Sequence, residues 1–429
     1  MDIMLVNARV KDINNLEICH SLPIGLAYIG AVLHEAGYDI SAIDLNAAPV
    51  DMAKITQIFE RASPPILAIS TSTPTHLNGL AFARLAKEAN PEIKVVMGGP
   101  HASILYEEVV MEKEVDIVVR GEGEYTMLEV ADCLIRKRGN LASVKGIAYK
   151  DNGAIRVTDK RPFIKDPDEL SFPARNLFPF DLYELPNTVL ASRGGCPFAC
   201  HFCAVNNIWG RTRRYRNPEK VVSEIFSVID TFGFKEAGKI TFLDDAFGLD
   251  RELTKSLCRL LKQLRLSIPL SWRCTTRVDL VDAELITEMW DAGCCGIHYG
   301  IEAGSQKILD SIGKKTNLDQ IRRAVDLTLS FGMDTLCAFM FPHPEDTEQT
   351  IREQKQFMKE LTEMGANTYL SLTVPYPGTY LYEKADRLGI KILTKNLDKY
   401  DGENLIITTK NLSKERLQFL YEELCQVVS

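Results

Sequence analysis

The chain of 429 residues contains no apolar stretch of about 18 residues, so no segment reads as a membrane span. Its first residues, Met1-Asp-Ile-Met-Leu-Val6, lack the charged and apolar regions of a secretory signal and read as the first strand of a folded domain. An excess of basic charge is also missing. The formal net charge is −8 and the isoelectric point is near 5.6, which argues against a dedicated nucleic-acid binder, because such proteins present a basic face. One local basic run stands out, Arg211-Thr-Arg-Arg-Tyr-Arg216, which reads equally as an anion site or a solvated face. No G-x-G-x-x-G occurs, so a dinucleotide fingerprint is not supported. Internal repeats and low-complexity tracts are absent. With no export signal, the eleven cysteines read as thiols in a reducing cytoplasm rather than as disulfides. Eight of them, at 19, 133, 258, 274, 294, 295, 337 and 425, are scattered and are expected to be buried.

Hydrophobic residues at 45% and charged residues at 25% make the chain globular, and its length suits two or three domains. The most informative segment is Ser192-Arg-Gly-Gly-Cys-Pro-Phe-Ala-Cys-His-Phe-Cys203. Cys196, Cys200 and Cys203 follow a strand-like run and a Gly194-Gly195 pair, at spacing C-x3-C-x2-C on an expected loop. Three thiolates do not complete a structural zinc site, which takes four ligands. They suit an iron–sulfur cluster with one iron left open. A chance cluster, or zinc completed by His201 or a remote Cys, is the competing reading.

Strand and helix signals alternate over residues 1–140. Apolar β-type runs occur at Ile3–Asn7, Asp39–Leu45, Ile66–Ser70, Val95–Met97 and Val115–Val119, separated by helical patterns. This predicts an α/β domain with a doubly wound parallel sheet, Rossmann-like in layout. Ligands of such sheets bind at the carboxyl ends of the strands, where Ser70-Thr-Ser-Thr73, Gly98-Gly-Pro-His101 and Arg120-Gly-Glu-Gly-Glu124 fall. Residues 141–187 read as a hairpin followed by a proline-rich connector, an extended strap rather than a packed domain. From 188 to 385 a second series of six βα units predicts a partial TIM-type barrel, with its site at the strands' C-terminal ends. There stand the Cys loop, Asp244-Asp245, Thr276-Arg277, Glu302, His343 and Tyr376. Residues 386–429 read as a short helical tail, too small for an added recognition domain. Substrate selection is therefore expected from barrel loops and the interdomain cleft, with Trp209, Tyr215, His343 and Tyr376 as candidates.

The cysteine spacing, with Phe202 before the last Cys, resembles the signature of the radical S-adenosylmethionine (SAM) enzymes. Phe242-Leu-Asp-Asp245, Arg277-Val-Asp279, Gly300-Ile-Glu-Ala-Gly304 and Tyr376-Pro-Gly-Thr-Tyr-Leu-Tyr382 resemble strand-end motifs of that family's cobalamin-binding branch. Leu22-Pro-Ile-Gly-Leu-Ala-Tyr28, Gly98–His101 and Arg120–Glu124 are similar to its cobalamin domain, so the resemblance spans most of residues 1–385. It implies a 4Fe–4S cluster on Cys196, Cys200 and Cys203, whose open iron chelates SAM and cleaves it to a 5′-deoxyadenosyl radical. Phe202 and Leu243–Asp245 (with Asp244 and Asp245) would lie near SAM, with Arg277 and Glu302 as polar contacts. In the first domain, Ser70, Thr71, Ser72, Thr73, Gly98, Gly99, Pro100, Gly121 and Glu122 would line the cobalamin site.

The implied activity is C-methylation of an unactivated carbon of a small-molecule substrate through methylcobalamin, with electrons from an external flavodoxin- or ferredoxin-type donor. Cyclisation or ring rearrangement without methyl transfer is the nearest alternative, and a non-catalytic cobalamin carrier or sensor is the alternative of another class. A methylthiotransferase is disfavoured, since the first domain holds only Cys19 and Cys133 for a second cluster. Two departures stand out. Where a D-x-H-x-x-G axial-histidine motif would follow Asp12, the chain has Asn14 and Glu17, which implies no cobalt ligand from that loop. Where the family shows G-x-P-G-E-T, the chain reads Pro342-His-Pro-Glu-Asp-Thr347, which bears on the substrate side of the site.

Overall fold

The computed structural model describes residues 1–9, 21–47, 52–232 and 239–428. The Asp12–Glu17 departure, Cys19 and His20 lie outside the described residues. The chain divides into two units, Met1–Pro186 with Asn396–Asp401, and Asn187–Lys395 with Gly402–Ser429.

In the first unit, β1 (Ile3–Asn7), β2 (Ile40–Asp44), β3 (Ile66–Ser70), β4 (Lys94–Gly98) and β5 (Ile117–Val119) run parallel. Alternation decides the layering. On β1, Met4 and Val6 enter one core with Phe59 and Phe82 from the helices Met52–Ala62 and His76–Ala89. Ile3 and Leu5 enter another, with Leu33 and Val130 from the helices Ile24–Glu35 and Glu124–Leu134. Both faces of the sheet are thus covered, which is why its strands read as continuous apolar runs. The strand order is β2-β1-β3-β4-β5, so the direction of winding switches between β1 and β3. The hairpin expected after residue 141 does more than connect: β6 (Ile147–Asp151) and β7 (Ala154–Val157) extend the sheet antiparallel at its β5 edge. The proline-rich strap is pinned to this unit by Ala174 N–H donating to Ala27 O at 2.9 Å and Tyr183 Oη donating to Asp44 Oδ2 at 2.9 Å.

The second unit carries six parallel strands: β8 (Thr188–Val189), β11 (Lys239–Phe242), β12 (Ser271–Thr276), β13 (Cys294–Glu302), β14 (Asp334–Phe341) and β15 (Asn367–Leu372). They lie in the order β15-β14-β13-β12-β11-β8, with two free ends and no closure. Between β8 and β11 sits a two-residue ribbon, β9 (Ser192–Arg193) against β10 (Arg214–Tyr215). Here one face of the sheet builds the core. Trp272, Cys274, Tyr299, Phe339 and Phe341 pack with helix residues such as Ile225, Leu261 and Phe357 into a single core.

The tail is not purely helical. Beside the helix Lys414–Cys425 it holds an antiparallel ribbon of β16 (Lys391–Ile392) and β17 (Ile407–Thr408), and residues 396–401 group with the first unit. Of the scattered cysteines, Cys258, Cys274, Cys294 and Cys337 are buried as expected, Cys133 and Cys295 are half-buried, and Cys425 is exposed. Cys425 is the last residue of the helix Lys414–Cys425, which buries Leu417, Leu420 and Leu424 in the core and leaves Cys425 outside it. No described helix is long and apolar enough to cross a membrane.

Candidate functional site

The cysteine loop is shaped by its glycines. Gly194 and Gly195 both adopt left-handed backbone, at φ 60° and 62°. A Cβ on Gly195 would stand 2.2 Å from Thr212 O, so no other residue fits without moving the chain. The β9–β10 ribbon closes the base of the loop, and the Cys196 N–H donates to Gly210 O at 3.3 Å. His201 N–H donates to Ile312 O at 3.0 Å, and Cys203 N–H to Cys200 O at 3.2 Å. All three thiols are half-buried. Burial pushes the Cys203 thiol up to about 11, with the neighbouring charges of Cys200 and Cys196 adding to it. Cys200 is also raised by burial, against the opposing pull of Lys314 and Arg277.

Among the described residues no group of three or more His, Cys, Asp or Glu side chains stands arranged to hold a metal ion. The donor chemistry nonetheless fits a cluster more closely than zinc. The three thiols share one loop, and among the described residues no fourth His, Cys, Asp or Glu side chain joins them to make the four ligands of a structural zinc site. The His201 ring packs on Tyr380, centroids 4.4 Å apart.

Arg277 and Glu302 arrive from the ends of neighbouring strands, and both are already engaged. The Arg277 guanidinium binds Asp279 through two hydrogen bonds of 2.8 and 2.9 Å and donates to Lys314 O at 2.7 Å. It stacks on the Phe198 ring at 3.6 Å, and its Nη1 approaches Cys200 Sγ at 3.9 Å. Arg277 is therefore neither a surface ion pair nor a wholly free guanidinium; it braces the cysteine loop. Glu302 accepts from Lys314 Nζ at 2.8 Å and has φ 72°, unusual for a side-chain-bearing residue. A Cβ on Gly300 would come within 2.5 Å of Glu302 Oε1, so the glycine makes room for this pair. Lys314 was not singled out in the sequence, and no motif marks it.

Asp244 is the keystone of the loop's base. Its buried carboxylate accepts from Ala191 N at 2.9 Å and from Ser192 Oγ, with Arg213 Nη1 3.6 Å away. Arg213 is itself buried. It donates to Gly195 O at 2.9 Å and Ser192 Oγ at 2.9 Å, and reaches Asp245 at 3.4 Å. Arg216 pairs with the fully buried Glu224 at 2.6 Å. Two arginines of the basic run, Arg213 and Arg216, are thus internal clamps, each meeting a buried carboxylate, whereas Arg211 is exposed. His343, expected near substrate, is buried instead. Its N–H donates to Asp346 Oδ2 at 2.7 Å, and its Nε2 lies 3.0 Å from Glu302 O, so it stiffens the loop after β14.

In the first unit, the ends of β3 and β4 form a close cradle. Thr71 N–H donates to Gly98 O at 2.9 Å. A Cβ on Gly99, at φ 92°, would meet Thr71 O at 2.6 Å, whereas one on Gly98 would find nothing nearer than 3.8 Å. Ser70 and Ser72 stand half-buried at this rim. Gly121 N–H donates to a hydroxyl, Ser103 Oγ, at 2.9 Å, and Glu122 accepts from Ile164 N at 2.7 Å, which ties down the strap. His101 is buried. Its Nδ1 lies 3.2 Å from Thr73 Oγ1, and its ring packs 4.2 Å from that of His76.

Burial lowers His76 to about 4 and His101 to about 3. Both rings are neutral in the folded chain near pH 6, where an unfolded histidine takes up a proton. Stability therefore rises with pH between about 4 and 6.5 and is lost on acidification, by about 2 kcal/mol per ring between pH 7 and 5. A His76→Gln/His101→Gln variant should show a flatter dependence of its thermal midpoint on pH over that range, measured by circular dichroism. A slope equal to that of the parent chain would contradict this.

Known proteins share the order of these two units. A profile of the B12 binding domain matches residues 19–131, and one of the Radical SAM superfamily matches residues 192–358. An uncharacterized methyltransferase of Pyrococcus horikoshii is 33% identical over 402 residues, covering 93% of this chain and 85% of that protein. An anaerobic magnesium-protoporphyrin IX monomethyl ester cyclase of Rubrivivax gelatinosus is 28% identical, over 88% of this chain and 68% of the relative. In fold, the chain is similar to the radical SAM methyltransferase TsrM of Kitasatospora setae, solved with cobalamin and a [4Fe-4S] cluster. The TM-score is 0.78 at 16% identity, covering 100% of this chain and 89% of that one.

Proposed function

This chain belongs to the cobalamin-binding radical SAM proteins, and from that membership we propose that it methylates an unactivated carbon of a small-molecule substrate. The observation that carries the reading is the loop of three half-buried thiols, short of a fourth ligand and flanked by Arg277 and Lys314, in one chain with the Gly98–Gly99 cradle. Cys196, Cys200 and Cys203 would hold the 4Fe–4S cluster. Phe202, Asp244, Asp245, Arg277 and Glu302 would border SAM, and Ser70–Thr73, Gly98–Pro100, Gly121 and Glu122 would border cobalamin. When bound, the cluster supplies the electron that cleaves SAM to a 5′-deoxyadenosyl radical, and cobalamin supplies the methyl group.

The chain's own residues do the positioning. Arg277 and Lys314 place positive charge beside Cys200, favouring the thiolate needed for iron. The Asp244–Arg213 network fixes the loop from below, and the Lys314–Glu302 pair fixes the carboxylate at the end of β13. An external flavodoxin- or ferredoxin-type donor would deliver the electron.

The cyclase of Rubrivivax gelatinosus favours a second reading, ring formation without methyl transfer. Incubating the reduced, reconstituted protein with SAM labelled in its methyl group and a small-molecule extract of the source cells separates the two. Methylation predicts a product carrying the intact labelled methyl, formed together with 5′-deoxyadenosine. 5′-Deoxyadenosine without labelled product would favour ring formation, and neither would revive a non-catalytic cobalamin carrier.

A further inference from the structure

The second sheet has a face opposite its apolar core against which, among the described residues, no helix packs a core, and on β12 and β13 that face carries polar side chains. Opposite the apolar side of β12 stand Arg273 and Thr275, and opposite that of β13 stands His298. Thr275 and His298 are partners in register and both are open to water, whereas Arg273, one step deeper on β12, is half-buried. Because Trp272, Cys274, Ile297 and Tyr299 enter the core, strand alternation puts Arg273, Thr275 and His298 together on the opposite face.

What distinguishes Arg273 is its lack of a counter-charge. Arg213, Arg216 and Arg277 each face a carboxylate within ion-pair distance. Among the described residues Arg273 has none. A half-buried guanidinium has given up part of its hydration, and its planar fork of donors matches a carboxylate or phosphate. A half-buried guanidinium with no carboxylate of its own points to a partner that arrives from outside. Its location agrees. Four residues further along, the same strand leads to Arg277 beside Cys200, a span of about 13 Å at the rise of a strand. A small molecule anchored at Arg273 would reach toward the cysteine loop with its other end.

We propose that Arg273, with His298 beside it, binds an anionic group of the substrate, a carboxylate or a phosphate, on the face of the sheet opposite its core. The name of substrate rests on the radical SAM reading; the anion site itself rests on the fold alone. The test is calorimetric titration of the full-length, anaerobically reconstituted protein with inorganic pyrophosphate and, separately, with succinate, at fixed ionic strength. The parent chain should bind at least one of them, and whichever binds more tightly identifies phosphate or carboxylate as the preferred chemistry. Arg273→Gln should weaken that binding at least tenfold, Arg273→Lys should restore part of it, and His298→Asn should weaken it several-fold. The thermal midpoint should stay unchanged in all three. Equal binding by parent and Arg273→Gln, or no binding of either anion by the parent at millimolar concentration, would overturn the proposal. Cluster absorbance and cobalamin content are read on the same samples. Their failure in the parent chain would strike the cofactor reading and leave the anion result standing.

Discussion

Asp244→Ala is expected to destabilise the second unit by about 3–5 kcal/mol, the scale for breaking a buried, hydrogen-bonded ion pair. The carboxylate is buried and receives the Ala191 N–H and the Ser192 hydroxyl, while Arg213, equally buried, loses its inner counter-charge with it. Asp245 remains 3.4 Å from Arg213 but is exposed, and an exposed partner compensates weakly. Asp244→Asn keeps acceptor geometry without charge and should cost about 1–3 kcal/mol. The three tryptophans, Trp209, Trp272 and Trp290, all lie in the second unit, so urea unfolding followed by tryptophan fluorescence reports that unit alone. A loss of under 1 kcal/mol for the alanine variant would mean that the network is incidental.

Much of this architecture was legible in the sequence, for physical reasons that differ between the units. Strands such as Ile3–Asn7 and Ile66–Ser70 are covered on both faces and so stand out as unbroken apolar runs. The barrel-type strands were readable from their polar ends, since Asp244, Arg277 and Glu302 each follow one. Legibility stopped at side-chain commitment. Nothing in the order of residues shows that Arg277 is claimed by Asp279 and Lys314, that Arg213 and Arg216 turn inward to Asp244 and Glu224, or that His101 packs on His76. These are pairings between elements distant in sequence, set by packing rather than by local pattern. Arg273 escaped notice for the same reason: its significance is the absence of a partner, which only the fold reveals.

The account depends most on Cys196, Cys200 and Cys203. They share one loop and one electrostatic neighbourhood, with no fourth ligand, and each alone is required if the loop is to hold a cluster with one iron open. Any single Cys→Ala variant should lose the broad visible absorbance of an iron–sulfur cluster, and the triple variant should lose it entirely. The first unit does not contain these residues, so cobalamin retention should be unaffected in all of them. The decisive measurement is 5′-deoxyadenosine formed from SAM by the reduced, reconstituted parent chain and by the Cys196→Ala/Cys200→Ala/Cys203→Ala chain under identical anaerobic conditions. The account predicts steady formation by the parent and none above background by the triple variant, with equal cobalamin in both. Formation by the triple variant, or none by a parent chain that holds iron, sulfide and cobalamin, would contradict it.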